Sequence, residues 1–287
     1  MNNRLHPAGS ITTPEYWNDT WRQMTAPKPI DPHSSAPENH FYRCIHAHLS
    51  RWLGISCAQD ARLIEIGCGG SRWLPYFNRE FGYEVSGIEY TAAGIQLARD
   101  VLQQAGIQGT LEQGDLFEPP INWEERFDVV VSFGLVEHFE NTAQAISACA
   151  RYLRPGGTMV TLVPTMRGLY GAAYRMFRPD VYSKHVPQSR ESLVKSHLEA
   201  GLKILHSSYV LGLPALLTAP MPSSSVAARA SFYLSSLYLK LEGIGLGVPP
   251  NGFTSPYALC IVTKPDRVGG AKLGDLEVNK FVSSGDA

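Results

Sequence analysis

No run of the sequence reaches the ~18 consecutive apolar residues that a membrane-spanning helix requires. The longest candidate, Tyr209 to Ala219, is short and broken by Pro214. An excess of charge is missing as well: Lys and Arg number 25, Asp and Glu 26, and the formal net charge is −1. That balance removes the broad electrostatic attraction of a nucleic-acid binder, and there is no appended RNA-binding module, so nucleic acid is not expected as a partner. Cys44, Cys57, Cys68, Cys149 and Cys260 are scattered, without a C-x-x-C or a Cys/His metal spacing. An odd cysteine count with no signal-peptide pattern predicts reduced thiols in a cytoplasmic protein, and no metal. What the sequence does have is a hydrophobic fraction of 44% over 287 residues, enough for a substantial core in one large or two small domains.

Residues 1 to 38 are rich in Pro, Asn, Thr and Ser, with "TPEYWNDTW" as an aromatic island, and Pro27, Pro29, Pro32 and Pro37 predict an extended or irregular arm. From His40 to Leu53, apolar residues recur at three and four, the pattern of an amphipathic helix. An alternation then begins. Leu63 to Ile66 is a short strand, glycines follow, and a helix is expected from about Ser71 to Phe81 with Pro75 in or near its first turn. "YEVSGIE" is a second strand, Thr91 an N-cap for a helix through Ala105, "GTLEQGD" a third strand and "RFDVVVSFG" a fourth. Asn141 to Leu153 reads as helix, Pro155-Gly156-Gly157 as a turn and "TMVTLVP" as a fifth strand. Helix 190–200, strand "LKILHSSYVL", a long apolar insertion and the strand "YALCIVTKP" follow. Strands alternating with helices predict an α/β fold with an open, mostly parallel, doubly wound sheet. In such a sheet ligands sit beyond the carboxyl ends of the strands, here at 67–72, 89–90, 114–116 and 133–138.

"RLIEIGCGGSRWLPYF" (62–77) places three glycines within four positions. Alone, such a turn is equally the mark of tight packing between strand and helix. A dinucleotide turn wants G-x-G-x-x-G, but Arg72 stands at the third position, and the Lys of a P-loop is missing. Glu65, two residues before Gly67, would repel a pyrophosphate. Glu89 ends the second strand 22 positions after Gly67, where a carboxylate can accept hydrogen bonds from ribose hydroxyls. Together these residues point to a nucleoside carrying a cationic or ammonium-bearing group.

With "LIEIGCGGS", "GIEYT", "QGDLFE", "FDVVVSFGLVEHFEN" and "ARYLRPGGTMV" in that order, the chain resembles the class I S-adenosylmethionine-dependent methyltransferases over about residues 40 to 210. The resemblance implies a seven-stranded Rossmann-like methyltransferase fold with an N-terminal arm or lid (1–39) and a methyltransferase domain (40–265). By its length and apolar composition 211–254 reads as a substrate-facing insertion, and the Gly-, Ser- and Asp-rich 266–287 as a flexible tail. For the cofactor, S-adenosyl-L-methionine, the resemblance implies Gly67, Cys68 and Gly69 against the methionine part and Glu65 facing the ammonium. Glu89 would hold the ribose with Tyr90 beside the adenine, Asp115 and Leu116 would contact the adenine, and Phe133 and Gly134 would lie along the remaining side. Glu differs from the commoner Asp at the second-strand position. Tyr16 and Trp17 are the candidates for a lid over the cofactor.

The expected activity is methyl transfer to an O, N or C atom of a small, partly apolar molecule, with specialised metabolism as a setting. A hydroxyl or acidic carbon needs a base, so His138 after the fourth strand and His185 after the fifth are candidates, with Glu137 to orient either. The plainer readings are a cofactor-loop contact for His138, a solvated loop residue for His185 and a cap for Glu137. Arg72, Trp73, Tyr170 and Arg175 are candidates for the acceptor side, against a solvated basic face for the arginines. In the insertion, Phe232, Leu234, Leu237, Tyr238 and Leu241 recur at helical spacing, which reads as core or homodimer contact, or else as acceptor pocket or membrane-surface contact. A cofactor-binding regulatory protein without turnover is the alternative function, and a nicotinamide oxidoreductase the third.

Overall fold

The computed structural model describes residues 9–36, 39–53, 60–212, 237, 240–241 and 246–266. Its sheet has seven strands: β1 (Arg62–Ile66), β2 (Glu84–Glu89), β3 (Gly109–Gln113), β4 (Phe127–Phe133), β5 (Leu153–Pro164), β6 (Lys203–Val210) and β7 (Tyr257–Thr263). Their order is β3-β2-β1-β4-β5-β7-β6, parallel throughout except for β7, which runs antiparallel to both β5 and β6. The chain reverses its winding between β1 and β4, so the carboxyl ends of β1, β2 and β4 open at the switch point.

Alternation along each strand feeds two cores. Leu63, Val129, Val131, Leu259 and Ile261 face helices α2 (His40–Leu53), α3 (Trp73–Phe81) and α4 (Ala92–Ala105). Ile64, Val130, Cys260 and Val262 face α5 (Thr142–Tyr152) and α8 (Arg190–Glu199). Both faces are thus covered, which is why the central strands read as continuous apolar runs. Local signals agree with the packing at α4. Thr91 Oγ1 accepts from Gly94 N, and Gly106, at φ 68°, ends the helix in the left-handed region.

Four expectations are corrected. The arm is not irregular throughout, because Pro14–Arg22 forms helix α1. Thr13 caps it, Pro14 occupies its first turn where a missing N–H costs little, and the four prolines that suggested an extended arm all lie beyond its end. The segment after β5 is not a plain loop; it forms α6 (Gly168–Phe177) and α7 (Pro179–Tyr182). Pro155-Gly156-Gly157 does not separate helix from strand but lies inside β5. The register slips there from Phe127↔Leu153 to Val129↔Thr158, and Gly156 N donates to Lys264 O at 2.8 Å. Helix α3 also begins at Trp73, two residues later than expected.

No helix among the described residues is long and apolar enough to cross a membrane. Cys44, Cys68, Cys149 and Cys260 are unbonded thiols. Cys57, most of the 211–254 insertion (with Phe232, Leu234 and Tyr238) and the tail from 267 lie outside the described residues, while Leu237 and Leu241 are exposed.

Gly87 in β2 is where sheet and ligand-side turn meet most tightly. A Cβ there would stand 2.5 Å from Cys68 Sγ and 2.9 Å from Leu111 Cδ2, both in close-packed surroundings. Gly87→Ala is expected to lower stability by about 1–3 kcal/mol, the usual effect of overpacking, read as a lower urea midpoint with unchanged slope.

Candidate active site

Beyond Ile66 the chain turns at Gly67, whose φ of 80° lies in the left-handed region. The N–H groups of Gly67 and Cys68 both donate to Ile88 O, at 2.8 and 3.2 Å, and so fasten the turn to the end of β2. Ser71 closes it: its Oγ accepts from Trp73 N at 3.0 Å at the start of α3 and donates to Glu65 Oε2. The close approach that the glycines permit is made by Trp21 of α1. A Cβ on Gly69 would lie 2.6 Å from the Trp21 indole, and one on Gly94 2.8 Å from it. The turn is therefore a flat backbone face against which a planar or extended group can lie.

Three buried acids ring this region: Glu65 (3% exposed), Glu89 (4%) and Glu137 (0%). Burial pushes the Glu65 carboxyl up to about 8, opposed by its Ser71 hydrogen bond. Burial also raises Glu89, opposed by Thr91, whose N and Oγ1 donate to Glu89 Oε1 at 2.9 and 2.6 Å. For Glu137 burial again pushes the carboxyl up to about 8, opposed by its own backbone N–H, and neither of its oxygens has a hydrogen-bond partner of ordinary geometry among the described residues. Asp115 is half-buried, raised by burial, and accepts from Phe117 N at 2.9 Å.

A cavity of about 260 Å³ is lined by Glu65, Gly67, Gly69, Glu89, Tyr90, Phe133 and Gly134, with Trp21, Tyr42, Arg72 and Trp73 as its wall. A smaller one of about 30 Å³ lies between Trp17, Glu89, Tyr90, Leu116 and His138. Most of the expected cofactor residues thus converge. Two do not line these cavities: Cys68 is buried in the α2–α3–α4 core, and Asp115 stands just outside. On the arm, Tyr16 lies under Lys184 Nζ (4.8 Å), and Trp17 packs edge-on to His138 (5.1 Å) and stacks on Trp21 (5.4 Å). Arg72 is held structurally. Its Nε donates to Lys28 O at 2.7 Å, and its guanidinium covers the Tyr42 ring at 4.7 Å. Trp73 packs on Phe133 at 4.8 Å. Tyr170 is buried on α6, 4.8 Å from the Tyr174 ring, and Arg175 is exposed on the same helix; neither lines these cavities.

His138 and His185 come together although 47 positions separate them, with ring centroids 4.4 Å apart. His138 Nδ1 lies 2.6 Å from Lys184 O, and His185 Nδ1 lies 2.8 Å from Val181 O. A carbonyl only accepts, so each Nδ1 carries the hydrogen and each Nε2 presents a lone pair. Burial, and then His185 beside it, holds His138 down to about 3, and burial lowers His185 too. Trp21, Phe41, Tyr42 and Leu135 were missed from the sequence. Trp21 had a signal, being four positions after Trp17 and so on the same face of a helix; Phe41 and Tyr42, at the start of α2, had none.

Comparison with known proteins agrees with this geometry. A family model described as a methyltransferase domain matches residues 64–161. The ubiquinone biosynthesis O-methyltransferase of Alkalilimnicola ehrlichii is 33% identical over 102 residues, which cover 36% of this chain and 41% of that protein. The matched region thus spans under half the length of the curated relatives. Among solved structures, the [4+2]-cyclase SpnF superposes with a TM-score of 0.59 at 16% identity, covering 91% of this chain and all of that one. The geranyl diphosphate C-methyltransferase of Streptomyces coelicolor A3(2) gives 0.56 at 14%, covering 90% and 100%. At those identities the likeness is one of fold. Residues 64–161 thus match a methyltransferase domain, carried on a seven-stranded sheet shared with solved methyltransferases.

Proposed function

We propose that the chain transfers a methyl group from S-adenosyl-L-methionine to an O, N or C atom of a small, partly apolar molecule. The observation that carries this reading is the convergence of Glu65, Gly67, Gly69 and Glu89 on one cavity from the ends of two adjacent strands. The donor set suits the cofactor. A buried carboxylate meets an ammonium group at Glu65, the Cβ-free backbone face at Gly67 and Gly69 takes an extended chain once the Trp21 indole that covers Gly69 moves aside, and a second carboxylate accepts from ribose hydroxyls at Glu89. Tyr90, Leu116 and Asp115 hold the adenine end, and Phe133 and Gly134 border the methionine end. When bound, the cofactor supplies an electrophilic methyl whose bond to sulfur breaks as the bond to the acceptor forms, sulfur keeping the electron pair. The chain's own part is alignment and exclusion of water, with Trp17 and Tyr16 of α1 as the cover. The proton of an O–H, N–H or acidic C–H acceptor leaves toward His138, His185 and Glu137, and Trp73 and Tyr170 wall the acceptor side. Arg175 does not contribute to it.

Calorimetric titration with S-adenosylhomocysteine is expected to show one site per chain. Glu89→Ala should weaken it at least tenfold with an unchanged circular dichroism spectrum, and equal affinity in the variant would reject the ribose assignment. Glu65 adds a pH dependence. Its carboxyl is held near 8 by burial, an ammonium partner favours the carboxylate, and so binding at pH 7 drives a proton off. Affinity is therefore expected to fall as pH drops below about 8, with a proton released that buffers of different ionisation heat will register. Glu65→Gln should abolish that release, and a release that persists in the variant would assign the proton elsewhere. In turnover, His138→Ala and His185→Ala should each lower kcat by about 10²-fold, a usual general-base effect, and weaken S-adenosylhomocysteine binding little. Full kcat in both variants, on phenol, amine and activated-carbon acceptors alike, would remove the histidines from proton transfer.

A further inference from the structure

Glu137, His138 and His185 converge with no cation and, beyond the backbone N–H of Glu137 itself, no N–H of the described residues aimed among them. One ligand-competent atom from each lies within 4.8 Å of the other two, and His138 Nε2 is 3.9 Å from Glu137 Oε1. Both imidazoles spend their Nδ1 hydrogens on backbone carbonyls, of Lys184 and Val181. That leaves both Nε2 lone pairs uncommitted in a group with a fully buried carboxyl, and both of its oxygens are without a partner among the described residues. Lys184, the nearest cation on the same loop, is turned away. Its Nζ donates to Asp180 O at 2.7 Å and sits over Tyr16. A buried acid is ordinarily paired or hydrogen-bonded, so an unpartnered buried carboxyl group beside two imidazoles marks a place where a cation can displace the acid's proton.

We propose that Glu137, His138 and His185 bind a divalent transition-metal ion, Zn²⁺ or its analogues, at the acceptor side of the methyl-transfer site. Two neutral imidazoles and one carboxylate form a donor set for such ions rather than for Mg²⁺ or Ca²⁺, which favour all-oxygen sites. Backbone carbonyls holding both Nδ1–H groups fix the rings in the tautomer that ligates through Nε2, as outer partners of metal-bound histidines do. Two ligands at about 2.0–2.2 Å from one ion stand at most ~4.4 Å apart, so the group reaches a binding geometry by small side-chain adjustment. The ion's surroundings also suit a substrate-facing role. A Cβ on Gly134, which lines the larger cavity, would lie 3.7 Å from Glu137 Oε1, and His138 lines the smaller one. Three protein ligands leave a position for an oxygen of the acceptor, whose hydroxyl a bound dication acidifies; with the ion bound the imidazoles are ligands in place of proton acceptors, and the proton passes to solvent water. The other trio of this kind among the described residues, His33, His46 and Glu80, differs. Glu80 Oε2 is already 2.9 Å from His33 Nε2, and His46 Nδ1 is engaged by the Tyr76 hydroxyl.

The role at the acceptor rests on the methyltransferase reading, but binding of the ion is tested without it. Full-length untagged protein carrying His33→Ala, which disables the exposed trio, is titrated with CoCl₂ while the visible d–d absorption and the heat are followed. One equivalent of Co²⁺ is expected, displaced by Zn²⁺, with affinity at least tenfold lower in Glu137→Gln and in His185→Ala. Absence of Co²⁺ binding, or affinity unmoved by both substitutions, overturns the proposal and leaves the trio as a metal-free proton acceptor. Should either variant lose its folded circular dichroism spectrum, X-ray absorption of the Co²⁺-loaded His33→Ala protein decides. Two imidazole nitrogens with carboxylate oxygen are expected, and any other ligand set overturns the site. S-adenosylhomocysteine titrated into the same samples separates the two readings. Its binding without Co²⁺ binding sinks the ion alone, and Co²⁺ binding without it sinks the methyltransferase reading alone.

Discussion

Two main-chain hydrogen bonds, from Gly67 and Cys68 to Ile88 O, tie the turn after β1 to the end of β2, and the rest of the site hangs from them. They require the backbone to leave β1 with a left-handed residue, which only Gly67 supplies without strain. Once the turn is pinned, Glu65 points across it to Ser71, Ser71 starts α3, and Trp73 of that helix reaches Phe133 at the end of β4. The turn thus sets both the floor on which a ligand lies and the direction of the aromatic wall beside it. Gly87 extends the same constraint into β2, since only a residue without Cβ leaves room for the Cys68 thiol.

The buried acids show how a folded chain stores ligand specificity as unsatisfied electrostatics. Glu89 is answered within the chain by Thr91, and Glu65 partly by Ser71, so each stays ordered without a ligand while remaining more costly to ionise than in water. Glu137 has no such answer. The gradient from β2 through β1 to the turn after β4 runs from paired to unpaired carboxylate. It follows the direction from the proposed ribose end to the proposed acceptor end. A site built this way favours positive or hydrogen-bond-donating groups most strongly where the chemistry is placed.

Much of this was legible in the sequence because it depends on near neighbours. Strand runs such as Val129–Val131, the Thr91 cap, the glycine turn and the acids at strand ends all follow from local pattern, and the doubly wound order follows from alternation. What was not legible depends on distant contact. His138 and His185 had no metal spacing to betray them, because backbone bonds such as Val186 N to Glu137 O, at 2.7 Å, bring the two loops together only in the fold. The arm was misread because its prolines dominate the composition, while the capped and amphipathic stretch from Thr13 to Arg22 is short. Arg72 looked like an acceptor contact from its position, but its guanidinium is committed to Lys28 O and the Tyr42 ring.

The domain match ends at residue 161, and the elements that distinguish this site lie on either side of it. Trp17 and Trp21 come from α1, Tyr42 from α2, Tyr170 from α6 and His185 from the segment after α7. The [4+2]-cyclase SpnF superposes on the same architecture, so the sheet and its glycine turn alone do not determine a reaction. The chemistry specific to this chain must come from what the flanking elements bring over the strand ends. Of these, only His185 adds an ionisable donor to the buried Glu137–His138 pair, whereas the others add aromatic surface. An acceptor recognised by that combination presents a flat or apolar body to the tryptophans and tyrosines, and a single polar atom to the acid and its two imidazoles.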